Sequence, residues 1–168
     1  FPRDGIGGEA SPLPTPEYAG KLGYDVAINS GTAGLAGGTR AVVGAPGENN
    51  GNGRIYIYNN TAGINAAPVW VLEASYTTGV ANAKLGTSVD ISADGTKIVA
   101  GAPRDVGGAI YYYRYAAADT TNDTDTSRWE AGATSNTDLR GPTPTSGNGF
   151  GSAVALNQDG TRVLVGAP

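Results

Sequence analysis

The chain has no histidine and no cysteine. Without an imidazole, Ser-His-Asp catalysis and histidine-ligated metal centres are excluded. Without a thiol, so are cysteine nucleophiles, zinc–thiolate sites and disulfide staples, and nothing reports the redox compartment. Charge is also scarce, at 15% of residues against 39% hydrophobic. That balance excludes a disordered chain and leaves apolar material for a core. No apolar run approaches the roughly 20 residues that a helix needs to cross a bilayer, so membrane insertion is not expected. The net charge is −4 and the pI is near 4.7. Nucleic acid is therefore not an expected partner, because phosphate binding calls for clustered Lys and Arg. The densest aromatic run, Tyr111 to Tyr115, holds a single Arg. It reads as a strand with tyrosines on both faces rather than as a base-stacking platform.

What is abundant is punctuation. There are 27 Gly and 10 Pro in 168 residues, so turns are frequent and long helices are not expected. Between the turns lie short runs rich in Val, Ile and Tyr, which favour strands. One such run occurs three times: "TRAVVGAP" (Thr39 to Pro46), "TKIVAGAP" (Thr96 to Pro103) and "TRVLVGAP" (Thr161 to Pro168). Internal repeats govern how a fold is read, so they come first. A second mark lies upstream of each copy: "KLGYDVAI" with Gly23, "KLGTSVDI" with Gly86 and "GFGSAVAL" with Gly151. Downstream of the first two copies come aromatic strands, "GRIYIY" and "GAIYYYRY", and then Trp70 and Trp129. The order is thus the same in both complete units: apolar-Gly strand, turn, GAP strand, aromatic strand, Trp strand.

Each mark has a physical reading. Asp94-Gly95 and Asp159-Gly160 are favoured hairpin turn pairs. In the first unit the turn is replaced by the longer "NSGTAGLAGG", an insertion at a loop tip. The runs "AVVGA", "IVAGA" and "VLVGA" lack polar alternation, as strands buried on both faces do. Val42, Val43, Ile98, Val99, Leu164 and Val165 are therefore expected in the core. Gly44, Gly101 and Gly166 are expected where neighbouring strands or sheets approach closely, and Pro46, Pro103 and Pro168 to end their strands. Strands are predicted near 24–29, 40–45, 54–59, 69–74, 87–92, 97–102, 109–115, 127–131, 152–157 and 161–166. The fold class is all-β, and four short strands per unit fit the antiparallel blade of a β-propeller.

Together these marks resemble the FG-GAP repeat, the β-propeller blade of integrin α-subunits and of many secreted proteins. The resemblance runs from Gly20 onward; two of its three Phe-Gly positions are Leu-Gly here. It divides the chain into a Pro/Gly-rich segment (1–20), a first blade (21–83), a second blade (84–148) and the first half of a third (149–168). The result is an incomplete propeller, or a window of a longer array. The chain begins at Phe1 rather than Met, and "PRDGIGG" near its start resembles the "PRDVGG" after the second GAP. A processed chain or a piece of a longer one is expected, with the third blade completed by the same polypeptide or by another chain.

Integrin-type blades often carry a calcium loop, D-x-[DN]-x-D-G, between the first two strands. Here those loops are "NSGTAGLAGG", "SADGT" and "NQDGT", which lack the spaced oxygen ligands calcium takes. No cofactor is expected. The one acidic cluster, with Asp119, Asp123 and Asp125, is either a solvated loop or a cation site; no Gly or Glu completes a known loop pattern around it. Two glycosylation sequons begin at Asn59 and Asn122, each just beyond an aromatic strand and expected in an exposed loop. The segments "SPLPTPEY" and "GPTPTSG" read as stiff connectors, or as O-glycosylated matrix-type segments. The reading that follows is a non-catalytic extracellular structural or adhesion module. Its expected partners are proteins or further copies of itself, with possible glycans. The alternative is an accessory propeller domain of a larger secreted hydrolase. An enzyme in its own right would need a carboxylate pair, and none is singled out by spacing or setting.

Overall fold

The computed structural model describes residues 20–31, 37–62, 66–117, 127–131, 138–140 and 149–168. The described chain is β-rich. It forms three antiparallel sheets that follow one another along the sequence. The first is a meander of β1 (Val26–Ile28), β2 (Arg40–Ala45), β3 (Arg54–Asn60) and β4 (Trp70–Thr77). The second runs β5 (Val89–Ile91), β6 (Lys97–Ala102), β7 (Ala109–Ala117) and β8 (Ser127–Ala131). A short β9 (Asp138–Arg140) pairs with the other end of β7, at Ala109 to Tyr111. The third is a hairpin of β10 (Ala153–Leu156) and β11 (Val163–Gly166). None of the described sheets closes on itself.

All ten expected strands are present, and β2, β6 and β8 match their expected limits. β9 is additional. Its three residues, Asp-Leu-Arg, carry too little apolar pattern to signal a strand. One helical turn, α1 (Glu48–Gly51), follows the first GAP; Asn49 and Asn50 sit inside it at φ 49° and 56°, so it cannot propagate. β2 and β6 end where proline removes the next ladder donor, at Pro46 and Pro103, whereas β11 ends at Gly166, one residue short of the position next to Pro168.

Repeat equivalence is exact in register. Val26 pairs with Val43, Val89 with Ala100 and Val154 with Val165. Side chains alternate along a strand and paired residues share a face. Each sheet therefore has a front face, toward the preceding unit, and a back face, toward the next. The back of the first sheet presents Val42, Ile55 and Ile57, and the front of the second presents Val89, Ile91, Ile98, Ala100 and Tyr113. These residues form one buried cluster together with Leu85 and Trp129. The main core thus lies between consecutive sheets.

The expected core is corrected on the front face of the first unit and in the third. Val42, Ile98 and Val99 are fully buried. Val43 is only half-buried, because it lies on the front face of the first sheet. Leu164 is 76% exposed, whereas its equivalents Val42 and Val99 are 0% exposed. Val165 is half-buried. An unalternated apolar run identifies a strand designed for two covered faces; it does not supply the second cover.

Candidate functional site

The residues that the repeat singles out converge at the seams between sheets. A methyl group placed on Gly44 would lie 2.1 Å from the carbonyl oxygen of Gly86, and one on Gly101 would lie 1.9 Å from that of Gly151. The GAP glycine of one unit therefore faces the Leu-Gly or Phe-Gly glycine of the next, backbone against backbone. Each of these second glycines also donates its amide to its own unit's GAP carbonyl: Gly23 to Gly44, Gly86 to Gly101 and Gly151 to Gly166, all at 3.0 Å. One glycine pins the start of its own sheet while its outer side receives the preceding sheet. Gly166 differs from the expectation of a close approach by a neighbouring sheet. A methyl there would meet only Ala153 of its own hairpin, at 3.2 Å for the nearest atom. No further described sheet lies behind it.

Polar contacts repeat across the two seams. The Val89 amide donates to Asp25 Oδ2 at 2.8 Å, and the Val154 amide donates to Ser88 Oγ at 3.2 Å. Asp25 and Ser88 each stand two residues after their glycine, so the acceptor position is the same and its chemistry differs. Leu156 adds a bond to Asp90 Oδ2 at 2.6 Å. Arg40 donates to the Gly95 carbonyl at 3.3 Å, and its equivalent Lys97 donates to the Asp159 carbonyl at 2.6 Å. In this way the first residue of each GAP strand grips the Asp-Gly turn of the next unit. Within that turn, burial alone would raise the Asp94 carboxyl, but hydrogen bonds from Ser92 and Thr96 outweigh it and hold the pKa below its ordinary value.

Arg40 is also the centre of the outer seam. It forms a two-pronged pair with Glu73 at 2.9 and 3.0 Å. Its guanidinium lies 3.7 Å from the Tyr115 ring centroid and 5.4 Å from that of Trp129. Beside it Tyr76 stacks on Tyr113 at 4.8 Å and donates its hydroxyl to the Trp129 carbonyl at 2.7 Å. Burial, with added repulsion from Glu73, raises the Tyr76 pKa, so its hydroxyl remains a donor.

A further recurring pair was not singled out from the sequence. Glu48 accepts from the Tyr56 hydroxyl at 2.8 and 2.6 Å and pairs with Arg54 at 3.1 Å. In the second unit Tyr111 donates to Asp105 at 2.5 Å, and Asp105 is fully buried. Both acids stand four residues after the GAP glycine, in "GAPGE" and "GAPRD". That shared offset was the available signal. Burial first, then the Glu48 carboxylate, pushes Tyr56 well above its ordinary pKa. The pair is a buried brace between the GAP loop and the aromatic strand.

The remaining site expectations divide. Asn59 lies inside β3 rather than beyond it, half-buried and paired with Arg40 and Val71. The strand runs one residue further than its sequence pattern indicates. Asn60 ends it by accepting the Ala62 and Val69 amides on its side-chain oxygen, both at 3.0 Å. Asn122 and the acidic residues Asp119, Asp123 and Asp125 lie outside the described residues. Among the described residues, no three Asp or Glu side chains gather into a cation-binding group. No protein-family model matches the chain, and no curated protein matches it.

Proposed function

We propose that this chain is a non-catalytic structural or adhesion module built from FG-GAP-type propeller blades, working outside the cell within a larger, glycan-bearing assembly. The observation that supports it is a difference between equivalent residues. Val89 and Ile91 in the second unit are 4% and 7% exposed, packed on the first sheet. Their equivalents Val26 and Ile28 in the first unit are 61% and 55% exposed. The front face of the first sheet carries the same docking residues as the second without a described sheet upon them. Full burial of an aliphatic side chain stabilises by about 1.5–3 kcal/mol, so that face favours a further sheet of the same repeat.

The test is size in solution. The chain of residues 1–168 is expected to associate as its concentration rises, and Val26→Asp with Ile28→Asp is expected to abolish the association. A wild-type chain that stays a compact monomer at every concentration overturns the reading. For the glycan part, enzymatic removal of N-linked sugar from native material is expected to lower its mass; an unchanged mass would count against secretion.

A further inference from the structure

A shallow depression of about 440 Å³ opens across the seam between the first and second sheets, at the end where the GAP loops emerge. Its lining includes Lys21 and Tyr24 ahead of β1, Asn50 after the first GAP, Lys84 ahead of β5, and Arg104 after the second GAP. Three cations and no carboxylate line it, in a chain whose net charge is −4. The three acids next in sequence to lining residues are committed elsewhere: Glu48 to Tyr56 and Arg54, Asp105 to Tyr111, and Asp25 to the Val89 amide. None of the three cations forms an ion pair among the described residues. Like charges gathered in a concave surface raise the local potential and concentrate counter-ions there.

A second observation is independent of the cavity. The position two residues before the Leu-Gly or Phe-Gly glycine is left-handed in all three units, with φ of 54° at Lys21, 63° at Lys84 and 59° at Gly149. Glycine adopts this conformation without strain, and the third unit uses it. The first two units place lysine there instead, against the steric preference of an L-residue. Strain of this kind clusters at sites of function. Both strained lysines belong to the depression.

We propose that this depression binds a tetrahedral dianion, a phosphate or sulfate group, free or as the ester of a small polar molecule. Three cations lining one depression match a double negative charge better than the single charge of a carboxylate. Arg104 supplies a planar fork for two oxygens, and the lysines supply point charges. The proposal does not depend on the structural reading above, since a propeller module with or without further sheets would carry the same seam.

The experiment is a titration of the isotopically labelled chain, followed by amide resonances, with inorganic phosphate, inorganic sulfate, a sugar phosphate, a sugar sulfate and acetate. Saturable shifts at Gly47, Lys84, Thr87 and Arg104 are expected with the dianions, and weaker ones with acetate. Tighter binding of the esters than of the inorganic ions identifies the esterified group as the ligand; equal binding identifies the free ion. Arg104→Gln and Lys84→Gly are each expected to weaken binding about tenfold, the scale of one charge-assisted hydrogen bond. Lys97→Gln, outside the depression, is expected to leave it unchanged. Lys84→Gly keeps the backbone conformation, so it should raise the melting temperature while it lowers affinity. Absence of saturable shifts, affinity unchanged in both site variants, or acetate binding as tightly as the dianions overturns the proposal. A Lys84→Gly chain that melts lower than wild type removes its strain argument.

Discussion

Gly101→Ala tests whether the seam is a true backbone-to-backbone contact. The added methyl would lie 1.9 Å from the Gly151 carbonyl oxygen and 2.9 Å from its carbonyl carbon. Cβ contacts closer than about 3 Å are essentially never seen, so the sheets must part by about 1 Å or the strand must buckle. Neither partner has a rotamer to change. A gap of roughly 0.5–1 Å forfeits a quarter to a half of each dispersion contact across it. The bonds from Val154 to Ser88 and from Leu156 to Asp90 stretch with the same motion. Overpacking of this kind costs about 3 kcal/mol, offset by about 0.5 kcal/mol because alanine narrows the unfolded ensemble. With a urea dependence of about 2 kcal/mol/M, the unfolding midpoint should fall by about 1 M. The assay is urea denaturation followed by tryptophan fluorescence, which reports Trp129 in the seam cluster. Gly166→Ala is the control: it is the equivalent GAP glycine, and its methyl meets only Ala153. Equal midpoints for Gly101→Ala and Gly166→Ala would refute the argument, because both lose the same backbone freedom and only one has a neighbouring sheet.

Arg40→Lys should destabilise by about 1–2 kcal/mol, measured by the same denaturation, since an ammonium replaces neither the two-pronged bond to Glu73 nor the planar stack on Tyr115. Tyr111→Phe removes a hydroxyl that donates to the fully buried Asp105 and should cost about 1 kcal/mol, whereas Tyr24→Phe at an exposed ring should shift the midpoint little. The Asp94 carboxyl is held below its ordinary pKa of 3.8 in the folded chain, so the unfolded chain binds more protons in that window. Its contribution is present above pH 3.8 and fades as pH falls through the lower folded value. Asp94→Asn should therefore flatten the acid limb of a stability–pH curve, and an unchanged acid limb would contradict the assignment.

The sequence made the strands legible because the repeat supplied three readings of one pattern. Gly95 and Gly160 marked both hairpins, and both have positive φ in the structure, 72° and 64°. It did not make the seam partners legible. Gly44 and Gly86 are 42 residues apart, and nothing in either motif states that one faces the other. Leu164 shows the opposite failing: its run is as apolar as those of Val42 and Val99, but burial depends on what lies behind the strand. The Glu48–Tyr56 and Asp105–Tyr111 braces were hidden because an acid after a turn looks like ordinary solvated loop, until the tyrosine on the strand that follows is seen to donate to it. Lys21 and Lys84 were hidden because a dihedral angle leaves no mark in composition.

The glycine seam has a consequence for how such a chain changes length. Each unit brings the outer half of one seam, at its Leu-Gly or Phe-Gly glycine, and the inner half of the next, at its GAP glycine. A duplication that begins and ends at the same point of the pattern inserts a sheet whose two new neighbours already fit it. A duplication out of phase places a side chain where two backbones must touch. Unit number is thereby free to drift by whole steps, while the length between the two glycines of a unit is free to vary, 21 residues from Gly23 to Gly44 against 15 from Gly86 to Gly101.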